Sequence, residues 1–339
     1  NPFTQCVAVS TTPDPTGTYF RYAFSYNREF NDYPKMGVWP DAYYITYNMF
    51  RNGSSFRGNT VCALERARML AGLSARQACV STGTAHHSLE PADLEGTTLP
   101  PAGSPNLLLS MTTTTINFWR FAVNWGTGTG TLTGPIAVSG VAAFSRACGG
   151  GACIPQPGTS QRLDSLADRL MYRLSYRKFG DHEAMVINHS VTSGTGVGVR
   201  WYELRNAAGQ SFASANPVLF QQGTFAPTND FRWVGSAAMD KTGGIAIGYN
   251  ISNASTIVPS IRYAYRGPSD PAGTLGNETN ALTGLGIQTP NLSRWGDYST
   301  ISVDPVDGCT MVFTTQFQPA NGNFNWSTFI HSFKLSTCN

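Results

Sequence analysis

Charge is what this chain lacks most. Asp, Glu, Lys and Arg make up 13% of its 339 residues, about half the usual quarter. The 23 basic and 20 acidic residues leave a net charge of +3. No basic run or stripe is present to neutralise a phosphate backbone, so nucleic acid is not an expected partner. There is no stretch of about 18 apolar residues, so no membrane-spanning helix is expected. The G-x-S-x-G, H-E-x-x-H, P-loop and dinucleotide fingerprints are all missing, which disfavours serine hydrolase, zincin and nucleotide chemistry. No signal peptide is visible, and the opening "NPFTQCVAVS" already reads as strand; any targeting segment is expected to lie outside these residues.

What is plentiful is Gly (35) and Pro (20), with many Ser, Thr and Asn. That is the profile of an extracellular β protein whose surface carries hydroxyls and amides. Seven cysteines are spaced for local bridges. Cys148 and Cys153 flank "GGGA", Cys62 and Cys79 bracket "ALERARMLAGLSARQA", and Cys309 and Cys338 bracket the last hairpin. Three disulfides imply an oxidising compartment, secreted or at the cell surface, and leave Cys6 over. Sequons at Asn52, Asn188, Asn250, Asn253, Asn277, Asn291 and Asn325 would be acceptors in a host that glycosylates.

The chain repeats itself. "NDYPKMGVWPDAYYITYNMF" near the start and "GDYSTISVDPVDGCTMVFTTQF" near the end share Asp-Tyr, a Val, a Pro turn and an apolar-aromatic strand. Weaker copies start at Asp168 and Asp230, at a spacing of roughly 66 residues or twice that, and "SPNLLLSMTTTTINFW" sits where a missing copy is expected. Four segments, "YFRYAFSY", "FWRFAVNW", "VGVRWYEL" and "SIRYAYR", carry an Arg followed by an aromatic and read as third strands. "TVCALERARMLAGLSARQA" alone could be helix, although the repeat makes its first half a third strand. A four-stranded unit of this period predicts a β-propeller, one domain over residues 1–339 with five or six blades. The amino-terminal strands either complete the last blade or belong to a blade whose innermost strand precedes Asn1; an unclosed ring presents an edge to a neighbouring subunit or an upstream segment.

If the copies are equivalent, Asp32, Asp168, Asp230 and Asp297 head innermost strands and gather at one mouth, with Tyr33, Arg169, Arg232, Arg294 and Tyr298. Three readings stay open. The carboxylates could bind turn amides; Asp32, Asp168 and Asp297 could hold Ca²⁺; or unlike members could act as acid and nucleophile or base. Two other clusters are rich in titratable groups. "FGDHEAMVINHS" (Asp181, His182, Glu183, His189) reads as a hairpin-turn patch, with a metal or acid/base role as the alternative, and "TAHHSLEPADLEG" (His86, His87, Glu90, Asp93, Glu95) as an exposed, Pro-rich loop, with zinc binding as the alternative. Trp39, Tyr43, Tyr44, Trp119, Trp125, Trp201, Trp233 and Trp295 are expected to pack between sheets, with some free to stack on sugars.

At "DYPKMGVWPDAYYIT", "DSLADRLMYRLSYRKFGDHEAMVINHSV" and "RWGDYSTISVDPVDGCT" the chain resembles a group of secreted, largely uncharacterised bacterial proteins labelled sialidase-like. The resemblance covers essentially the whole chain and implies a secreted propeller without a defined activity. The S-x-D-x-G-x-x-W Asp-boxes of the wider sialidase group are missing, "STTPDPTGTYF" being a loosened cousin, and so is the F-R-I-P type motif. The expected function is therefore a binding or extracellular assembly module offering an open blade edge to a partner strand. The alternative is a glycan-active hydrolase or lyase acting on a polysaccharide or surface glycan through the carboxylates at the mouth.

Overall fold

A computed structural model describes residues 2–276 and 278–338, and within them the fold is all-β. A hairpin opens the chain, β1 (Thr4–Ser10) and β2 (Tyr19–Ser25). A four-stranded sheet follows, β3 (Glu29–Val38), β4 (Tyr43–Arg51), β5 (Ser55–Leu64) and β6 (Gln77–Gly83), with one short helix, α1 (Arg66–Leu70), between its last two strands. Next come β7 (Glu90–Glu95), β8 (Asn106–Met111), β9 (Ile116–Asn124) and β10 (Thr129–Ala137), then a small hairpin of β11 (Ala152–Gln156) and β12 (Thr159–Asp164). Two further sets of four are β13 (Met171–Lys178), β14 (Glu183–Ser193), β15 (Gly196–Arg205), β16 (Val218–Phe225), and β17 (Phe231–Met239), β18 (Ile245–Ser252), β19 (Ser260–Arg266), β20 (Thr279–Leu282). The last sheet is β21 (Thr300–Val303), β22 (Thr310–Phe317) and β23 (Ser327–Lys334).

Within each set the strands pair antiparallel in chain order. Neighbouring sets touch through their first strands: β3 contacts β7, β7 pairs parallel with β13, β13 contacts β17, and β17 contacts β21. Burial follows from this stacking. β8 ("NLLLSM") and β18 ("IAIGYNIS") are buried at every position, the continuous apolar run expected of strands covered on both faces. β1 and β23 alternate between more and less exposed positions, as strands covered on one face do. Apolar cores fill the gaps between successive sets, and the opening hairpin lays Val7, Val9, Tyr22 and Phe24 on Ile45, Tyr47 and Leu64 of β4 and β5. Lys35 Nζ donates to the Asp297 carbonyl at 3.2 Å, and the Tyr33 and Tyr298 rings lie 5.7 Å apart, so β3 meets the segment that leads into β21.

All three disulfides form as the spacing predicts, and Cys6 is free and exposed. They suit an oxidising, extracellular environment, and no helix among the described residues is long and apolar enough to cross a membrane. "FWRFAVNW", "VGVRWYEL" and "SIRYAYR" are indeed the third strands β9, β15 and β19, and "TVCAL" lies in the third strand β5. Two expectations need correction. "SPNLLLSMTTTTINFW" is a second strand and the start of a third; the missing first strand is β7, "EPADLE", from the segment read as an exposed loop. Its acidic spelling hid it, because Asp93 and Glu95 are buried through partners on other strands: Arg173 of β13 hydrogen-bonds both, and the Val38 amide of β3 donates to Asp93 at 2.8 Å. The amino-terminal strands do not complete the last sheet either: β1 pairs with β2, β23 pairs with β22, and the outer edge of β23 is open among the described residues. Two sequons are excluded as surface acceptors, since Asn188 and Asn250 are 0% exposed; Asn277 lies outside the described residues.

Gly37 shows how closely the first strands approach. A Cβ there would sit 2.3 Å from the Ala92 carbonyl oxygen of β7, a distance no larger residue tolerates.

Two measurements follow. Arg173→Leu leaves Asp93 and Glu95 buried without their partner and should cost about 3–5 kcal/mol in denaturant unfolding; a loss under about 1 kcal/mol would contradict this pairing. Alkylation of the denatured, unreduced protein followed by intact-mass analysis should label one cysteine, Cys6.

Candidate functional site

The lead-ins to the first strands carry most of the predicted residues, and a backbone irregularity aims them. In β3 the register shifts between Asp32 and Lys35, with Tyr33 at φ 54°; in β17 it shifts between Trp233 and Ser236, with Val234 at φ 46°. Such bulges re-aim side chains. Aligning the two bulges matches Tyr33 with Val234, and hence Asp32 with the buried Trp233 rather than with Asp230.

Asp230 accordingly stands apart. It bonds Thr228 and Asn253, and its neighbour Arg232, 1% exposed, is held by Glu278 at 2.7 Å. The other predicted residues come together. Arg169 clamps both oxygens of Asp168 at 2.7 and 2.9 Å and lies 4.8 Å over the Tyr33 ring. Lys35 Nζ sits 3.6 Å over the same ring and 4.4 Å over that of Tyr298. Arg294 Nη2 meets Asp297 Oδ2 at 2.6 Å, and Asp32 is close enough for its charge to act on Tyr298.

Electrostatics separates these groups. Burial works against the Asp168 carboxylate, but the bonds and charge of Arg169 win and hold its pKa below the usual value. Asp297 goes the other way: burial raises it, with Arg294, Lys35 and Arg169 opposing, and its Oδ1 is buried without a hydrogen-bond partner. Deeper in, Glu90 is fully buried with neither oxygen bonded, and burial pushes it from 4.5 up to about 8 against the pull of Lys35 and Arg169. Lys35, also buried, is lowered to about 8. With Tyr33, Lys35 and Glu90 all under 9% exposed, side chains fill the space between the first strands, and chemistry is accessible only at its edge.

At that edge lies a groove of about 480 Å³, whose lining includes Arg294, Asp297, Tyr298, Gln316, Phe324 and Trp326. Tyr298, Phe324 and Trp326 are 55%, 71% and 50% exposed, an unusual density of open aromatic surface. The groove wall is held rigidly. Gln288 donates to the Leu292 and Arg294 carbonyls at 2.8 Å each, Gln316 accepts from the Gly296 amide at 3.1 Å, and the buried Trp295 packs on Trp233. Phe324 and Trp326 went unnoticed in the sequence because they lie in the loop between β22 and β23, outside every repeat.

The remaining clusters are structural. Tyr176 donates to Glu183 at 2.6 Å, and His189 Nε2 and the Tyr202 hydroxyl share a hydrogen bond at 2.9 Å, both deep in β14, while Asp181 and His182 pair at the turn. A Ca²⁺ site fits the residues poorly. Both Asp168 oxygens are taken by Arg169, the cations Lys35 and Arg169 stand among the carboxylates, and no group of three or more metal-ligating side chains occurs among the described residues.

No protein-family profile matches the chain, and no curated protein matches it in sequence. Among solved structures, it is similar to one titled "Crystal structure of polysaccharide lyase Uly1", at a TM-score of 0.42 and 11% identity over 98% of this chain and 80% of that one.

Because folded Glu90 keeps its proton to a higher pH than the unfolded chain does, its contribution to stability is full below about 4.5 and is lost as pH rises through about 8. Glu90→Gln should flatten that decline and leave the protein more stable at pH 8 by on the order of 1–3 kcal/mol. Parallel urea titrations at pH 5 and pH 8 measure this; an unchanged slope with pH contradicts it.

Proposed function

We propose that the chain is a propeller of five radially stacked sheets, with the opening hairpin as an incomplete sixth, and that it binds carbohydrate in the groove beside Asp297. One observation carries the reading: three exposed aromatic rings share a groove with Arg294, Asp297 and Gln316. Sugars present apolar C–H faces and hydroxyl edges. Aromatic faces cover the former, while a guanidinium, a carboxylate and an amide satisfy the latter. The scarcity of charge over the whole chain suits a neutral, polyhydroxylated ligand. The edge of β23, open among the described residues, borders the groove through Thr328 and supports the assembly reading, since an unpaired strand can accept a partner strand.

A second reading, glycoside hydrolysis, is favoured by the contrast between Asp297 and Asp168. One carboxyl is raised and has a free oxygen; the other is held ionised by Arg169. Unlike carboxyls are what acid and base roles require.

Affinity electrophoresis and calorimetry against a panel of neutral polysaccharides test the first reading. Trp326→Ala and Tyr298→Ala should each weaken binding about tenfold, the amount expected from about 1.4 kcal/mol of lost stacking, without altering the unfolding midpoint. Retained affinity in both variants contradicts it. For the second reading, Asp297→Asn should abolish release of reducing ends while binding persists.

A further inference from the structure

At the opposite ends of the first strands lies a second cavity, of about 370 Å³, remote in character from the groove. It is formed where β7, β13, β17 and β21 finish, and its lining includes Thr97, Thr98, Arg177, Lys178, Lys241 and Asp307. We infer that this cavity is an oxyanion site that takes a sulfate or phosphate group.

Arg177 is the centre of the argument. It is 6% exposed, its Nε donates to the Met239 carbonyl at 3.1 Å, and its Nη2 is buried without any partner. A buried guanidinium N–H left unpaired is costly, and a ligand oxygen is the group that would satisfy it. Gly96 makes room for it: a Cβ there would lie 2.6 Å from Arg177 Nη1. Gly96 also has φ +73°, a conformation that favours glycine.

None of the ion pairs among the described residues uses Arg177, Lys178 or Lys241. Two acids stand near Arg177: Glu95 is held by Arg173, and Asp240 accepts from Thr242 and Gly244 through Oδ1 while its Oδ2 is buried without a partner. In the lining itself, Asp307 accepts from the Cys309 and Thr310 amides and the Thr310 hydroxyl, and pairs with Lys334 at 3.6 Å. The two turns that carry Lys241 and Asp307 are tied together by the Lys241 amide on the Gly308 carbonyl at 2.8 Å. Three cations from two neighbouring sets of strands thus face one space, with two threonines from a third. A tetrahedral oxyanion, with several acceptor oxygens and more than one negative charge, matches that set of donors.

Calorimetry at constant ionic strength tests this with sodium sulfate, sodium phosphate and glucose 6-sulfate as titrants, and with chloride and glucose as controls. Saturable binding of one sulfate per chain is expected. Lys178→Ala combined with Lys241→Ala, at positions that are not buried, should weaken it about tenfold through the loss of charge-assisted contacts. Arg177→Gln should abolish it, and Trp326→Ala should leave it unchanged. Tighter binding of glucose 6-sulfate than of inorganic sulfate assigns the site to a sulfated sugar; equal or weaker binding assigns it to a free anion. Absence of saturable binding by any of the three anions, or undiminished sulfate affinity in the double lysine variant, overturns the inference.

Discussion

A sheet with apolar side chains on both faces has to be covered twice, and that requirement organises this molecule. β8 and β18 are buried at every position because a sheet lies on each side of them. Stacking successive sheets face to face meets the requirement for all but the ends of the series. At one end the opening hairpin supplies the cover, placing Val7, Val9, Tyr22 and Phe24 on β4 and β5. At the other end β23 keeps the alternating burial of a strand covered on one face, and the carbohydrate groove is proposed to lie along that unclosed side.

Stacking brings the first strands so close that Gly37 must lack a side chain. It also forces charged residues into the interior. Arg173 is tolerable through its pairing with Asp93 and Glu95, Lys35 through the Tyr33 ring and the Asp297 carbonyl, and Glu90 beside it because burial keeps it protonated. These side chains fill the space between the first strands among the described residues, and Asp297 stands at its edge in the groove. The sites proposed here lie at the two ends of the first strands. One is rich in aromatic surface and the other in unpaired cationic donors, so the two ends would select chemically different ligands.

The sequence reading was accurate where the signal was local. Cysteine spacing anticipated all three bridges, and the Arg-aromatic pattern located β9, β15 and β19. The repeat drew attention to Asp168 and Asp297, which lie around Tyr33 with Arg169, and to Asp32, whose charge acts on Tyr298. It misplaced Asp230, because a bulge, not residue counting, sets which position of β17 corresponds to Asp32. It missed β7 altogether, since "EPADLE" resembles a core strand only once Arg173 and Lys35 are beside it.

Composition and spacing by themselves determined the all-β class, the disulfides and most strand positions. These are properties of alternation, turn residues and short loops, which act over a few residues. Tertiary structure alone decided which polar residues are buried, which carboxyl is raised and which held ionised, and which aromatic side chains remain open to a ligand. Those depend on partners such as Arg173 and Asp93, or Lys35 and Asp297, far apart in the chain and adjacent only after the sheets have stacked.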